Sequence, residues 1–296
     1  MPLPATEAVS RRSELLDTWD TPTILGALWE GQMAAVAALG PALPALARAV
    51  EEAAMRLAAG GRLAYAGAGT SGRIAVQDAV ELMPTFDWPE KRLVLMMAGG
   101  DAALVRSIEN AEDRDDLAAA TIERHAIGAA DVLVGVAASG TTRFTVAAVQ
   151  RARSRGAMTI AIANSQGSPL LKAAEFPVLV ETGAEAIAGS TRMKAGTAQK
   201  AALNVFSTAL MVRLGRVYLG RMVDMQARNA KLRGRAVHML QELTECSTAQ
   251  AQAALATADG KVKLAVLLVH GLTRTEAERL LAHHGGNLRA ALQEHG

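Results

Sequence analysis

The 296-residue chain has one cysteine, Cys246. A single thiol excludes an intramolecular disulfide and any cysteine-based zinc site, and Cys246 itself reads as a small, half-buried hydrophobe. Aromatic residues are scarce: three Trp, two Tyr and four Phe make up 3% of the chain. The core must then be aliphatic, and base stacking on single-stranded nucleic acid is disfavoured. Neither sign of charge dominates. The 31 Lys and Arg face 29 Asp and Glu, for a net charge of +2, so there is no basic block of the kind that grips a polyanion. No apolar run approaches the roughly eighteen residues of a membrane-spanning helix. The N-terminal stretch MPLPATEAVSRRSELLD carries acids and no apolar centre, so it does not read as a secretory signal. These absences point to a soluble cytoplasmic protein.

What is abundant is small and aliphatic. Half of the chain is hydrophobic and 26 residues are glycine. Residues 1–20 are polar and irregular. From Thr21 to about Gly60, Ala, Leu and Val recur at three- and four-residue spacing, with Pro41 and Pro44 as breaks, which predicts two helices. The period then changes. Short apolar runs at 62–66, 92–97, 131–136, 158–163 and 176–180 predict strands. Helical stretches are expected at 74–82, 104–112, 115–125 and 143–155, and a long one over 191–214. Continuous apolar strands alternating with helices mean a parallel sheet covered on both faces, a doubly wound α/β domain. After about residue 240 the strand signal stops. Residues 247–257, 261–270 and 275–293 predict a small helical bundle, with Ser247, Thr273 and Thr275 at or near caps and Gly271 and Gly285 as stops. The expected divisions are a helical lead at 1–59, the α/β domain at 60–236 and the bundle at 237–296.

Two loops at strand ends carry chemistry. Gly67-x-Gly69-x-x-Gly72 follows the first strand and opens a helix, in formal agreement with the dinucleotide fingerprint. The acid that should end the next strand is missing, since that strand closes in Met97-Ala98-Gly99-Gly100 and Asp101 comes late. Between the glycines stand Thr70 and Ser71, whose hydroxyls can donate to an anion at a helix start. This favours a terminal phosphate over a dinucleotide or a merely structural turn. No Lys-Ser/Thr pair follows, so it is not a P-loop. The third strand repeats the arrangement with Ser139, Gly140, Thr141 and Thr142. Two hydroxyl loops after parallel strands can surround one phosphate with neutral donors, without a basic cluster, metal or cofactor.

Two acids follow the first loop, Glu81 and Glu112. A pair of carboxylates in different environments can divide general-acid and general-base work, although helix acids are more often simply solvated. Glu81 lies ten residues beyond Ser71, which in an unbroken helix is roughly 15 Å along the axis. Either that helix ends early at Pro84, or Glu81 serves a site formed with a second subunit; the second is the expectation here. Residues 183–200 add Ser190 and Thr191 as candidate caps of the long helix. Arg192, Lys194 and Lys200 stand in its early turns, where cations oppose the helix dipole and call for an anionic ligand or an acidic partner.

The stretch GAGTSGRIAVQDAVELMPTF at 67–86 resembles the signature of N-acetylmuramic acid 6-phosphate etherases, members of the sugar isomerase (SIS) fold group. The blocks at 98–116, 135–142, 184–211 and 217–236 resemble that family's others in order and spacing. The tail at 276–292 resembles its small UBA-like bundle. The resemblance implies cleavage of the D-lactyl ether of N-acetylmuramic acid 6-phosphate, giving N-acetylglucosamine 6-phosphate and D-lactate by elimination and water addition, with no metal. It implies that Glu81 is the proton donor and Glu112 a second active-site glutamate. Gly69, Thr70, Ser71, Ser139, Gly140, Thr141, Thr142, Ser190 and Lys194 would then bind substrate, and the protein would act as a homodimer with sites near the interface. The chain departs from the pattern at Val80-Glu81-Leu82-Met83-Pro84, where the family has Ser-Glu-Cys-Pro-Pro. It departs again at Thr141, where the family has arginine. A non-catalytic sugar-phosphate regulator is the alternative, but it would need the hydroxyl loops and not the acids.

Overall fold

A computed structural model describes residues 4–225 and 230–296; residues 226–229, inside the last of the resemblance blocks, lie outside the described residues. These form two compact units, one of residues up to Ala79 together with Lys91–Ser207, the other of Val80–Glu90 together with Thr208–Gly296.

The first unit opens with short 3-10 turns, then α1 (Thr21–Ala37) and α2 (Leu43–Ala58). Asp20 caps α1 by accepting the Thr23 N–H at 3.1 Å, and Pro44 sits in the first turn of α2, where its missing N–H costs nothing. One expectation is corrected here. The helical stretch Thr21–Ala58 contains an 18-residue window of mean hydropathy 1.6, long and apolar enough to cross a membrane by composition alone. Residues 33–47 form an uninterrupted run of small and aliphatic side chains, and the turn at Gly40–Ala42 divides the stretch into helices of 17 and 16 residues.

The sheet follows: β1 (Leu63–Gly67), α3 (Gly69–Phe86), β2 (Leu93–Met97), α4 (Ala102–Val105), α5 (Asp115–Arg124), β3 (Val132–Ala137), α6 (Arg143–Ser154), β4 (Met158–Ala163), α7 (Pro169–Ala173), β5 (Phe176–Leu179) and α8 (Lys194–Arg213). All pairings are parallel, in the order β2-β1-β3-β4-β5. Every residue of β1, β3 and β4 is buried, because helices cover both faces, whereas the edge strand β2 alternates. Ala64, Ala66, Leu133, Ala137 and Ala161 point to the face covered by α5 and α6, where Ile122, Ala148 and Val149 complete an aliphatic core. On the opposite face the Tyr65 hydroxyl meets Asp78 of α3, which also receives Asn204 and Ser207 of α8.

In this part of the chain three helix predictions change. The 104–112 stretch is not a helix: α4 ends at Val105, Arg106 is extended and Asn110 is left-handed. The cause is Arg73, whose guanidinium takes the Ala103 and Arg106 carbonyls at 2.9 and 3.0 Å, acceptors a continuing helix would need. Helix α3 is longer than predicted and runs through Pro84 to Phe86, so the early ending that would have moved Glu81 does not occur. The long helix starts at Lys194 instead of residue 191.

In the second unit, β6 (Val217–Tyr218) and β7 (Arg221–Met222) form a hairpin whose corner residues Leu219 and Gly220 both have positive φ, as a type I′ turn requires. Five helices follow: α9 (Ala230–Thr244), α10 (Thr248–Thr257), α11 (Val262–Val269), α12 (Arg274–His283) and α13 (Leu288–His295). Ser247 and Thr273 close capping boxes with Gln250 and Glu276. The single helix expected over 275–293 is two, because Gly285 and Gly286 both take positive φ between them. Cys246 is half-buried against an aliphatic core of Leu240, Leu255, Val266 and Leu267.

Candidate active site

The strand order sets the site's address. The chain goes from β1 outward to β2, then returns past β1 to β3. In open parallel sheets ligands bind at the carboxyl ends of the strands where the direction reverses, here β1 and β3. Both hydroxyl loops leave from those ends, since Gly67 is in register with Val136.

At the first loop, Gly67 and Gly72 face each other so closely that a Cβ on Gly67 would lie 2.7 Å from the Gly72 Cα. This contact brings the start of α3 against the strand, and Gly69 turns the chain between them with φ +54. Thr70 is half-buried and Ser71 is 9% exposed, both in the first turn of α3, where backbone N–H groups lack intrahelical partners. At the second loop the Ser139 hydroxyl lies 2.8 Å from that of Thr141 and accepts the Thr141 N–H at 3.2 Å. Thr142 precedes α6 without using its hydroxyl as a cap. Gly140 has φ +66, and a Cβ there would collide with Ser168 Oγ, so only glycine fits.

A cleft of about 190 Å³ runs from the first loop to Glu112, lined by Gly69, Arg73, Met97, Ser107, Asn110 and Glu112 among others. Glu112 is exposed on a 3-10 turn at Ala111–Asp113. Arg73 shapes this wall by holding the Ala103 and Arg106 carbonyls, a role that spacing does not reveal. Glu81 is exposed, belongs to the second unit and is not among the cleft residues.

Ser190 and Lys194 flank the start of α8. That turn packs on the first loop: a Cβ on Gly196 would lie 3.5 Å from the Thr70 methyl. The Lys194 ammonium donates to the Ala184 carbonyl at 2.6 Å. The Ser190 and Thr191 side chains do not cap α8. The carboxylate of Glu185, fully buried, accepts the N–H groups of Lys194 and Ala195 instead. Other cations nearby are also engaged, Arg73 with carbonyls and Arg143 with Asp115 at 2.6 Å. The loops thus offer an anion hydroxyls and helix N-termini. Apart from this site, His283, His284 and Glu294 place ligand atoms within 4.8 Å of one another on the second unit's surface, a group whose residue types suit a metal ion.

A parallel sheet of this order, with hydroxyl loops at its reversal point, defines a sugar-phosphate-binding domain of the SIS type. Family comparison agrees: residues 111–209 match the SIS domain, 45–153 the N-terminal SIS domain of glucokinase regulatory protein and 220–284 that protein's C-terminal lid domain. The chain is 48% identical to an N-acetylmuramic acid 6-phosphate etherase of Deinococcus radiodurans, over 94% of this chain and 92% of that protein. Proteins of the same name from Erwinia tasmaniensis and Streptomyces coelicolor are 45% and 46% identical, each over 95% of this chain and 92% and 91% of their own. The chain belongs to the N-acetylmuramic acid 6-phosphate etherase family.

Proposed function

We infer that the protein is a carbon–oxygen lyase that cleaves the D-lactyl ether of N-acetylmuramic acid 6-phosphate. The products are N-acetylglucosamine 6-phosphate and D-lactate. The structural observation that carries the reading is the cleft joining Gly69 of the first hydroxyl loop to the carboxylate of Glu112. A phosphate at the loop and an acid–base group along the same wall are what an elimination on a sugar phosphate needs.

In the open-chain sugar the C2 proton is adjacent to the aldehyde and is acidic. A base removes it, the C3–O bond breaks, and the departing lactyl oxygen receives a proton. Water then adds at C3 of the unsaturated aldehyde. We assign these proton transfers to Glu112 and Glu81, with Glu81 as the donor. Thr70, Ser71, Ser139, Thr141 and Thr142 hold the phosphate, helped by the backbone at Gly69 and Gly140, with Ser190 and Lys194 at the rim. Glu81 is taken to serve the site of a second copy in a homodimer. An exposed apolar stripe on α1, Leu25, Trp29, Met33 and Val36, supports pairing of two copies. The short C-terminal helices are read as a UBA-like bundle on their number and length.

The test is incubation with N-acetylmuramic acid 6-phosphate and measurement of D-lactate. Release by the wild type, abolished by Glu81→Gln and by Glu112→Gln, is expected. Tight sugar-phosphate binding without lactate would instead support the second reading, a non-catalytic regulator, which the glucokinase regulatory protein matches at 45–153 and 220–284 favour.

A further inference from the structure

Among the described residues, six buried side-chain oxygens have no hydrogen-bond partner: Thr6 Oγ1, Thr145 Oγ1, Ser165 Oγ, Ser168 Oγ, Thr182 Oγ1 and Gln199 Oε1. Buried polar atoms are nearly always paired, because an unpaired one loses its hydration with nothing in return. Four of the six share one neighbourhood. Ser165 and Ser168 follow β4, Thr182 follows β5, and Gln199 is in the second turn of α8. Their exposures are 4, 5, 9 and 1%.

Asn164 ties this neighbourhood together and to the second hydroxyl loop. Its N–H donates to the Ala138 carbonyl at 3.0 Å, its side-chain amide donates to the Val180 carbonyl at 2.8 Å, and its side-chain oxygen accepts from Gln199 Nε2 at 2.9 Å. Asn164 thus acts as a brace, with its backbone N–H and both ends of its side-chain amide engaged. Gln199 spends its N–H group on that brace and keeps its oxygen. Ser168 lies directly against Gly140 of the loop, and the Leu170 N–H donates to the Gly140 carbonyl at 3.0 Å. Although Ser168 stands in the capping position of α7, its hydroxyl makes no capping bond.

We propose that Ser165, Ser168, Thr182 and Gln199 form a second wall of the substrate site, which binds the hydroxyl and amide groups of the phosphosugar beyond its phosphate. The wall lies at the carboxyl ends of β4 and β5, on the same edge of the sheet as the two hydroxyl loops. Its chemistry is neutral: three hydroxyls that donate and accept, and one amide oxygen that only accepts. An acceptor-only oxygen repels a phosphate dianion and suits a sugar hydroxyl or an amide N–H. Side-chain rotation of the serines and Thr182 toward such a ligand would satisfy groups that the fold itself leaves unpaired. The identity of the sugar rests on the lyase reading; the wall itself does not.

The experiment uses full-length Ser165→Ala, Ser168→Ala and Thr182→Val. Melting temperature is measured without ligand, and the Kd of N-acetylglucosamine 6-phosphate and of inorganic phosphate by calorimetry. A hydroxyl with no partner in the free protein contributes nothing there, so the melting temperature should hold or rise. The Kd for the sugar phosphate should weaken about tenfold per lost hydrogen bond while that for inorganic phosphate stays put. Wild-type sugar-phosphate affinity in both Ser165→Ala and Thr182→Val, or a lower melting temperature in both, overturns the proposal. So does equal weakening for inorganic phosphate. D-lactate release by the wild type is scored separately: its absence sinks the lyase reading, while the two Kd values still judge the wall.

Discussion

Glu185 Oε2 accepts the backbone N–H of Lys194 at 2.9 Å, and its other oxygen accepts that of Ala195 at the same distance. One buried carboxylate thereby begins α8, the helix whose first turn packs on the first hydroxyl loop. Glu185→Ala would leave two N–H groups unpaired and is expected to destabilise the protein by about 2 kcal/mol, measured by urea denaturation. Wild-type stability would show that the cap is dispensable.

Arg62 and Asp131 join the starts of β1 and β3. Asp131 accepts from the Arg62 backbone N–H and Nε at 3.0 Å, from its terminal nitrogen at 2.7 Å and from the Gly128 N–H at 3.0 Å. Burial by itself pushes this carboxyl up, but the bonds from Arg62 and Gly128 hold it below its ordinary value. A depressed folded pKa means that the unfolded chain binds the proton first. The stability from this pair is present above the unfolded pKa of about 3.9 and is lost as pH falls through the folded value. Asp131→Asn should cost about 2 kcal/mol at pH 7 and flatten the loss of stability below pH 4. An unchanged acid limb in a denaturant series at several pH values would count against it.

Asp78 should behave in the opposite sense. Burial pushes its carboxyl up, and the bonds from Asn204, Ser207 and Tyr65, with the charge of Lys200, only partly offset this. With the folded pKa above the unfolded one, the native state takes up the proton first, so this group adds stability as pH falls through its folded value. Asp78→Asn should remove that gain, making the variant fall behind the wild type on mild acidification. Parallel pH–stability curves would refute it.

Gly140 stands between the second hydroxyl loop and Ser168. Gly140→Ala adds a Cβ where φ is +66 and where Ser168 Oγ already lies. A loss of about 2 kcal/mol or more in stability is expected, with weaker phosphate binding, because the loop must shift to relieve the collision. A Ser168→Ala partner substitution should recover only part of it, since the backbone strain remains and the Cβ at position 168 would still lie 2.5 Å from the added one. Full recovery in denaturation and binding measurements would locate the cost in the Ser168 hydroxyl alone and refute the strain.

The α1 stripe is tested by charge. Trp29→Glu, at a side chain 63% exposed, should leave the monomer fold intact and shift the mass in solution toward one chain. If Glu81 acts across the dimer, mixing Glu81→Gln subunits with subunits altered at Ser71 should restore part of the activity. Light scattering and D-lactate release read the two outcomes, and failure of the mixture to recover activity argues for sites complete within one copy.

The strands were legible because each is a short apolar run between turn residues, and burial on both faces leaves no room for polar interruption. The loops were legible because glycines and hydroxyls stood together where such runs end. Glu112 was legible as a residue but not in its setting, since the predicted helix around it is broken by Arg73, thirty residues or more away from the carbonyls it takes. Glu81 was legible as an acid beyond the first loop, but its role as proton donor came only from the family pattern.

By itself the amino-acid sequence determined the alternation of strand and helix, the aliphatic core and the two hydroxyl loops, all local matters of periodicity and backbone freedom. Tertiary structure alone decided the order β2-β1-β3-β4-β5, which puts those loops side by side. It also decided the Glu185 cap, the Arg73 clamp and the polar wall around Asn164. Each of these depends on hydrogen-bonding groups brought together from separate elements, and hydrogen bonding depends on distance and angle, which spacing along a chain does not record.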